Sequence, residues 1–148
     1  MIDDGCLDGV DEIFGYHNFY GAPLGTICYW YDAIMAGCAD VVIHIDWDEG
    51  DPITAACIIH NALHLVKSEK IPHDDVNSFT ICSFKSGSSM DCKPHSAEMT
   101  GSIWYLSKEI YELYKDEITH ICEGFAKSLK CKINVEIYEE YPPVINHD

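Results

Sequence analysis

The hydrophobic pattern between residues 36 and 141 changes period in the same way twice, and this repeat restricts the fold more than any other feature. Val41, Ile43, Ile45 and Trp47 alternate along one short run, as in a strand with one buried face. Asp51-Pro52 follows, pairing a favoured N-cap residue with one suited to the first helical position. Ala55, Ile59, Ala62, Leu63 and Val66 then recur at helical spacing, which predicts a helix ending near Lys67, before Ile71-Pro72. A second strand is predicted over Ser78–Phe84. After a polar connection from Lys85 to His95 the sequence of periods begins again. Ala97, Met99, Gly101 and Ile103 alternate as a third strand, and Ser107 is placed to cap a second helix. Its apolar stripe runs through Ile110, Leu113, Tyr114, Ile118, Ile121, Cys122, Phe125, Ala126 and Leu129. The last strand, Lys132–Tyr138, carries Ile133, Val135 and Ile137 on one face and is stopped by Pro142-Pro143.

The predicted order is therefore β-α-β twice over. Right-handed crossovers put both helices on one face of a four-stranded antiparallel sheet. The expected class is α+β, a ferredoxin-like split β-α-β, with Val42, His44 and Asp46 pointing away from the helices. Two flanks fall outside this unit. Residues 1–35 hold Val10–His17 and Gly25–Tyr31, which read as short β segments rich in aromatics and too few to close a core. Residues 142–148 are a stub. The expected organisation is thus 1–35, 36–141 and 142–148.

Charge narrows the partners. Nine lysines and no arginine face 25 acids in 148 residues, a formal net charge of −16. A polyanion is repelled by that field, and the guanidinium fork that grips phosphate is absent, so nucleic acid and anionic bilayers are not expected partners. No apolar run approaches the roughly 20 residues of a spanning helix. The acidic start, Met1-Ile2-Asp3-Asp4, lacks the cationic region of a secretory signal. The eight cysteines are scattered without a CxxC pair. They read as free thiols of a reducing cytoplasm, with a set of disulfides as the alternative.

The flanks carry a family signature. "MIDDGCLDGVDEIFGYHNFYGAPLGTI" resembles the segment by which metal-dependent amidohydrolases (aminoacylases, hippurate hydrolases and auxin-conjugate hydrolases) leave their catalytic domain and enter an inserted lid. "DPITAACIIHNAL" resembles the first lid helix. The run from "AEMTGSIWYLSKEIYELY" to "YPPVIN" resembles the second half of the lid and the return to the catalytic domain. The resemblance implies a ferredoxin-like dimerisation domain with remnants of the catalytic domain at its ends, and a homodimer formed through the lid. It also implies hydrolysis of N-acyl amino acid amides by a divalent metal pair, zinc, manganese or similar.

Of the ligand set implied by the family, only the histidine of "FGYH" falls in this chain, as His17; the plainer reading is an exposed histidine at a strand end. One histidine does not hold a catalytic zinc, which needs about three protein ligands, so no metal is expected to bind stably there. The family's asparagine before the third strand lines up with Asp91, and its arginine at that strand's end with Trp104. An acid and an indole supply neither the amide donor nor the bidentate carboxylate clamp. The family's histidine between the first lid strand and first lid helix has no counterpart in Asp46-Trp47-Asp48-Glu49-Gly50-Asp51.

Two other groupings stand out. Cys57, His60 and His64 share one helical stripe, a soft-donor set for zinc or copper or simply a polar boundary face. Asp46, Asp48, Glu49 and Asp51 surround Gly50 without the spacing of a calcium loop and read as a solvated turn. The leading expectation is a truncated amidohydrolase, mainly lid, without catalytic residues of its own and inactive alone. The alternatives are a stand-alone dimerisation module and a small metal-binding protein.

Overall fold

A computed structural model describes residues 2–18 and 20–146. The chain order is β1 (Asp32–Met35), β2 (Gly37–Asp46), α1 (Pro52–Glu69), β3 (Ser78–Ser86), β4 (Ser96–Tyr105), α2 (Lys108–Leu129), β5 (Lys132–Tyr141) and β6 (Val144–Asn146).

The helices begin where the sequence places them. Asp51 is extended and accepts from the amides of Ile53 at 3.0 Å and Thr54 at 3.3 Å, while the Thr54 hydroxyl donates to its other oxygen at 2.6 Å. Pro52 opens α1, where its missing N–H costs nothing. Ser107 caps α2 by accepting from the Ile110 amide at 3.4 Å. The first helix runs to Glu69, two residues past the expected Lys67. Pro72 restricts only Ile71, the residue before it, so the helix can continue to the Lys70 cap, whose amide donates to the Val66 carbonyl at 2.9 Å.

The four long strands form one antiparallel sheet in the order β3-β4-β2-β5. Neither β3 nor β5 is beside the strand that its helix connects it from, which is the split β-α-β arrangement. The inward residues of β2, Ala39, Val41, Ile43 and Ile45, are completely buried. They meet Met99 and Ile103 of β4, Ile59, Leu63 and Val66 of α1, and Ile118 and Cys122 of α2 in one core. Burial pushes the Cys122 thiol up to about 12, so it is a packed, un-ionised group. Tyr114 is also fully buried, but its hydroxyl reaches the α1–β3 connection and donates to Asn77 Oδ1 at 2.6 Å. Burial, with the charge of Asp75, moves that phenol up to about 12. Gly101 has a specific reason to be glycine. A Cβ there would stand 2.2 Å from the Thr80 carbonyl, because β3 crosses β4 closely where its register shifts between Ile81 and Ser83.

The N-terminal flank departs from expectation. Val10–His17 and Gly25–Tyr31 are not strands, and their apolar side chains are open to solvent, Phe14 at 88% and Ile27 at 77% exposure. A strand needs a ladder partner, and these segments have none among the described residues. The short β segment of this flank lies further on, at β1, which pairs antiparallel with β6 from Asp32↔Asn146 to Met35↔Val144. The C-terminal stub thus contributes a strand; its last two residues, like Met1 and Phe19 of the N-terminal flank, lie outside the described residues.

The Asp51 cap has a pH signature. The Thr54 hydroxyl, then the Thr54 and Ile53 amides, hold its carboxyl below the ordinary value. A carboxyl lowered on folding stabilises above its unfolded pKa and loses that contribution as pH falls through the folded one. In urea unfolding, the stability deficit of Asp51→Ala should be full above about pH 5 and shrink below about pH 4. Tyr114→Phe, which leaves the ring and removes the bond to Asn77, should cost about 1 kcal/mol in the same assay.

Candidate functional site

Two structural features could do work in a larger assembly, a stem and an open sheet edge. The stem is the β1–β6 ribbon, fastened further by Asn146, whose side-chain amide donates to the Trp30 carbonyl at 2.8 Å. The chain passes from the stem into β2 at Gly37 and returns from β5 through Pro142-Pro143. Gly37 sits where a Cβ would be 2.8 Å from the Pro143 ring and from the Tyr105 ring, so the two crossings are packed against each other. Tyr105 is buried there, stacked on Tyr111 with centroids 5.0 Å apart, and its hydroxyl donates to Glu139 Oε1 at 2.5 Å. Burial first, and then the Glu139 bond, raise this phenol well above its ordinary value. The alternation from Ala97 to Ile103, with the strand's end expected at Trp104, does not by itself reveal this corner. The inward alternation of Ile103 continues to Tyr105, and that was the available signal.

The two edges of the sheet are unlike. β5 carries Lys132, Glu136, Glu139 and Glu140, charges of the kind that discourage further strand pairing. β3, Ser78-Phe79-Thr80-Ile81-Cys82-Ser83-Phe84-Lys85-Ser86, has Lys85 as its single charge and leaves Phe84 42% exposed. Beside it, His64, Lys67 and Ser68 of α1 face Ile71, His73, Asn77 and Phe79 across a cleft of about 380 Å³.

The residues singled out in the sequence do not converge on one pocket. His17 is exposed, and its Nδ1 lies 2.9 Å from the neighbouring Asn18 carbonyl. Among the described residues no three His, Cys, Asp or Glu side chains are grouped so as to hold a metal ion. The donor set for a two-metal centre is therefore not assembled by these residues. Asp91 lies exposed in the connection entering β4, its amide donating to Ser89 Oγ at 3.2 Å. Trp104 stands near the exit of β4, its indole N–H donating to Ser102 Oγ at 3.2 Å and its ring edge-on to Tyr141. The eight-residue step from Ser96 to Trp104 covers about 27 Å of strand, and neither residue lines the cleft beside β3. His60 and His64 touch, Nε2 to Nε2 at 3.4 Å, whereas Cys57 is not drawn with them into a three-donor group.

The acidic turn is occupied by internal contacts. Asp51 caps α1, Asp46 meets His44 Nε2 at 3.0 Å, and Asp48 meets His95 Nδ1 at 3.4 Å. All eight cysteines are free thiols, and no helix among the described residues is long and apolar enough to cross a membrane.

Comparison with known proteins places this geometry in a family context. The chain is 28% identical, over 99% of its length, to the N-acetylcysteine deacetylase of Bacillus subtilis, and covers 41% of that protein. It is 26% identical over its whole length to the hippurate hydrolase of Campylobacter jejuni, covering 42% of it. A solved structure from Bacillus subtilis, a dinuclear metal-binding peptidase of the M20 family, superposes with a TM-score of 0.81 at 27% identity, covering 99% of this chain and 38% of that one. No family model matches the chain. The resemblance to M20 amidohydrolases therefore runs the length of the chain, while the chain spans about 40% of the length of those relatives.

Proposed function

We propose that residues 36–141 are the lid and dimerisation portion of a metal-dependent amidohydrolase acting on N-acyl amino acids, and that they associate with a second copy through β3. The observation that carries this reading is the full-length match to such enzymes on a ferredoxin-like unit whose two crossings meet at one stem. The relatives named above act on an acetylated amino acid and on hippurate, which gives the substrate class, and the relative of known structure binds two metals.

A zinc or manganese pair of that kind needs about three protein ligands per ion. His17 is the one position here matching a family ligand, and it stands by itself, so these residues do not assemble the donor set of a metal pair. Asp91 and Trp104 supply neither an amide donor nor a guanidinium to a substrate carboxylate. The 148-residue chain on its own is thus a scaffold rather than a reaction centre. Its eight free thiols fit a reducing cytoplasmic setting, and its acidity argues against nucleic-acid and membrane partners.

Incubated with N-acetyl and N-benzoyl amino acids plus added zinc or manganese, the isolated chain should show no hydrolysis above the buffer rate. Turnover that depends on either metal would overturn the reading of this chain as a scaffold.

Pairing through β3 follows from its nearly uncharged, open backbone edge. Light scattering at micromolar concentration should give twice the chain mass, and Cys82→Lys on that edge should shift the protein towards monomer at least tenfold in dissociation constant. A lysine at Asn134 on the opposite edge should leave the mass unchanged.

A further inference from the structure

We propose that His60 and His64 form a bidentate site for a late first-row divalent cation, zinc(II), cobalt(II) or nickel(II), on the solvent-facing flank of α1. The two residues are one helical turn apart, so their side chains project side by side. Their Nε2 atoms are 3.4 Å apart and the rings are inclined at 74°. Two imidazole nitrogens bound tetrahedrally to zinc at roughly 2.0–2.1 Å are separated by about 3.3 Å. The spacing already present is therefore the bite of a chelate.

Chemistry and surroundings agree with that geometry. A neutral imidazole carries one proton and one lone pair, so two facing Nε2 atoms share a single proton between them. With each ring's proton on Nδ1, both Nε2 lone pairs become available to one cation, which takes the place of the shared proton. Imidazole is a preferred ligand for zinc, nickel and cobalt. His64 is exposed and His60 half-buried, which leaves room for water to complete the coordination shell. The nearest lysine of the cleft, Lys67, is turned away, its amine donating to the Asn77 carbonyl at 3.0 Å. The net charge of −16 raises the local concentration of cations. Cys57 precedes His60 by one turn but does not join a three-donor group, so the protein supplies two nitrogens. The site is separate from His17 and does not depend on the amidohydrolase reading.

The test uses the untagged full chain, kept reduced, with zinc(II) or cobalt(II) chloride as the probe. Calorimetry should find a site filled at one ion per chain, and the His60 and His64 ring signals should be the first to shift in NMR titrations. His60→Gln and His64→Gln should each weaken that site at least tenfold while the circular dichroism of the fold is unchanged. The double variant His64→Gln/Leu65→His keeps the number of histidines but breaks the one-turn spacing, and it should bind as weakly as His64→Gln. Undiminished affinity in either single variant would overturn the proposal. So would a thiolate-to-cobalt charge-transfer band abolished by Cys57→Ser, or the absence of binding below millimolar metal.

Discussion

The fold hangs on β2. It is the strand shared by the two halves, hydrogen-bonded to β4 on one side and β5 on the other. Its inward residues Val41, Ile43 and Ile45 lie fully buried beneath the helices. Each such side chain removed from water is worth about 1.5–3 kcal/mol, and here the same side chains also hold the two β-α-β halves together. The four-stranded sheet exists because this one strand has apolar surface inside and two ladder faces at its sides. The outward residues of β2, Val42, His44 and Asp46, are under no such constraint and remain partly or largely exposed.

That dependence explains why most of the sheet and both helices were legible from the sequence. Period-two and helical-period patterns are imposed by burial, so Ala97 to Ile103 and Ile110 to Cys122 announce which face is inside. The caps were legible for a different reason. Asp51 and Ser107 satisfy amides that a helix cannot satisfy itself, and few residue types can do this. The flanks were harder to read. Gly25–Tyr31 has strand-like composition, but β propensity becomes a strand only when another strand is available, and Val144–Asn146, more than a hundred residues away in sequence, pairs with Asp32–Met35 instead. The Tyr105 corner was invisible as a contact because it joins Gly37, Tyr105, Glu139 and Pro143, which share no local pattern.

The candidate site was legible unevenly. His60 and His64 could be paired from their one-turn spacing alone, and the structure brings them into contact. The same spacing argument extended to Cys57, where side-chain direction and not interval decides whether donors converge. Asp91 and Trp104 came from resemblance, and such positions acquire meaning from whatever faces them, which these residues do not include. The unequal edges could have been read directly: Lys132, Glu136, Glu139 and Glu140 against Lys85 is a difference in composition, given the order of strands.

The ribbon of β1 and β6 has a topological consequence. Met35 lies opposite Val144, so the chain arrives at and departs from the 37–143 portion at neighbouring points. Everything between them is a parenthesis in the polypeptide. If it were removed, the two short strands could be rejoined by a tight turn with their pairing intact. Residues 37–143 could therefore be gained or lost without rethreading the backbone on either side of the ribbon.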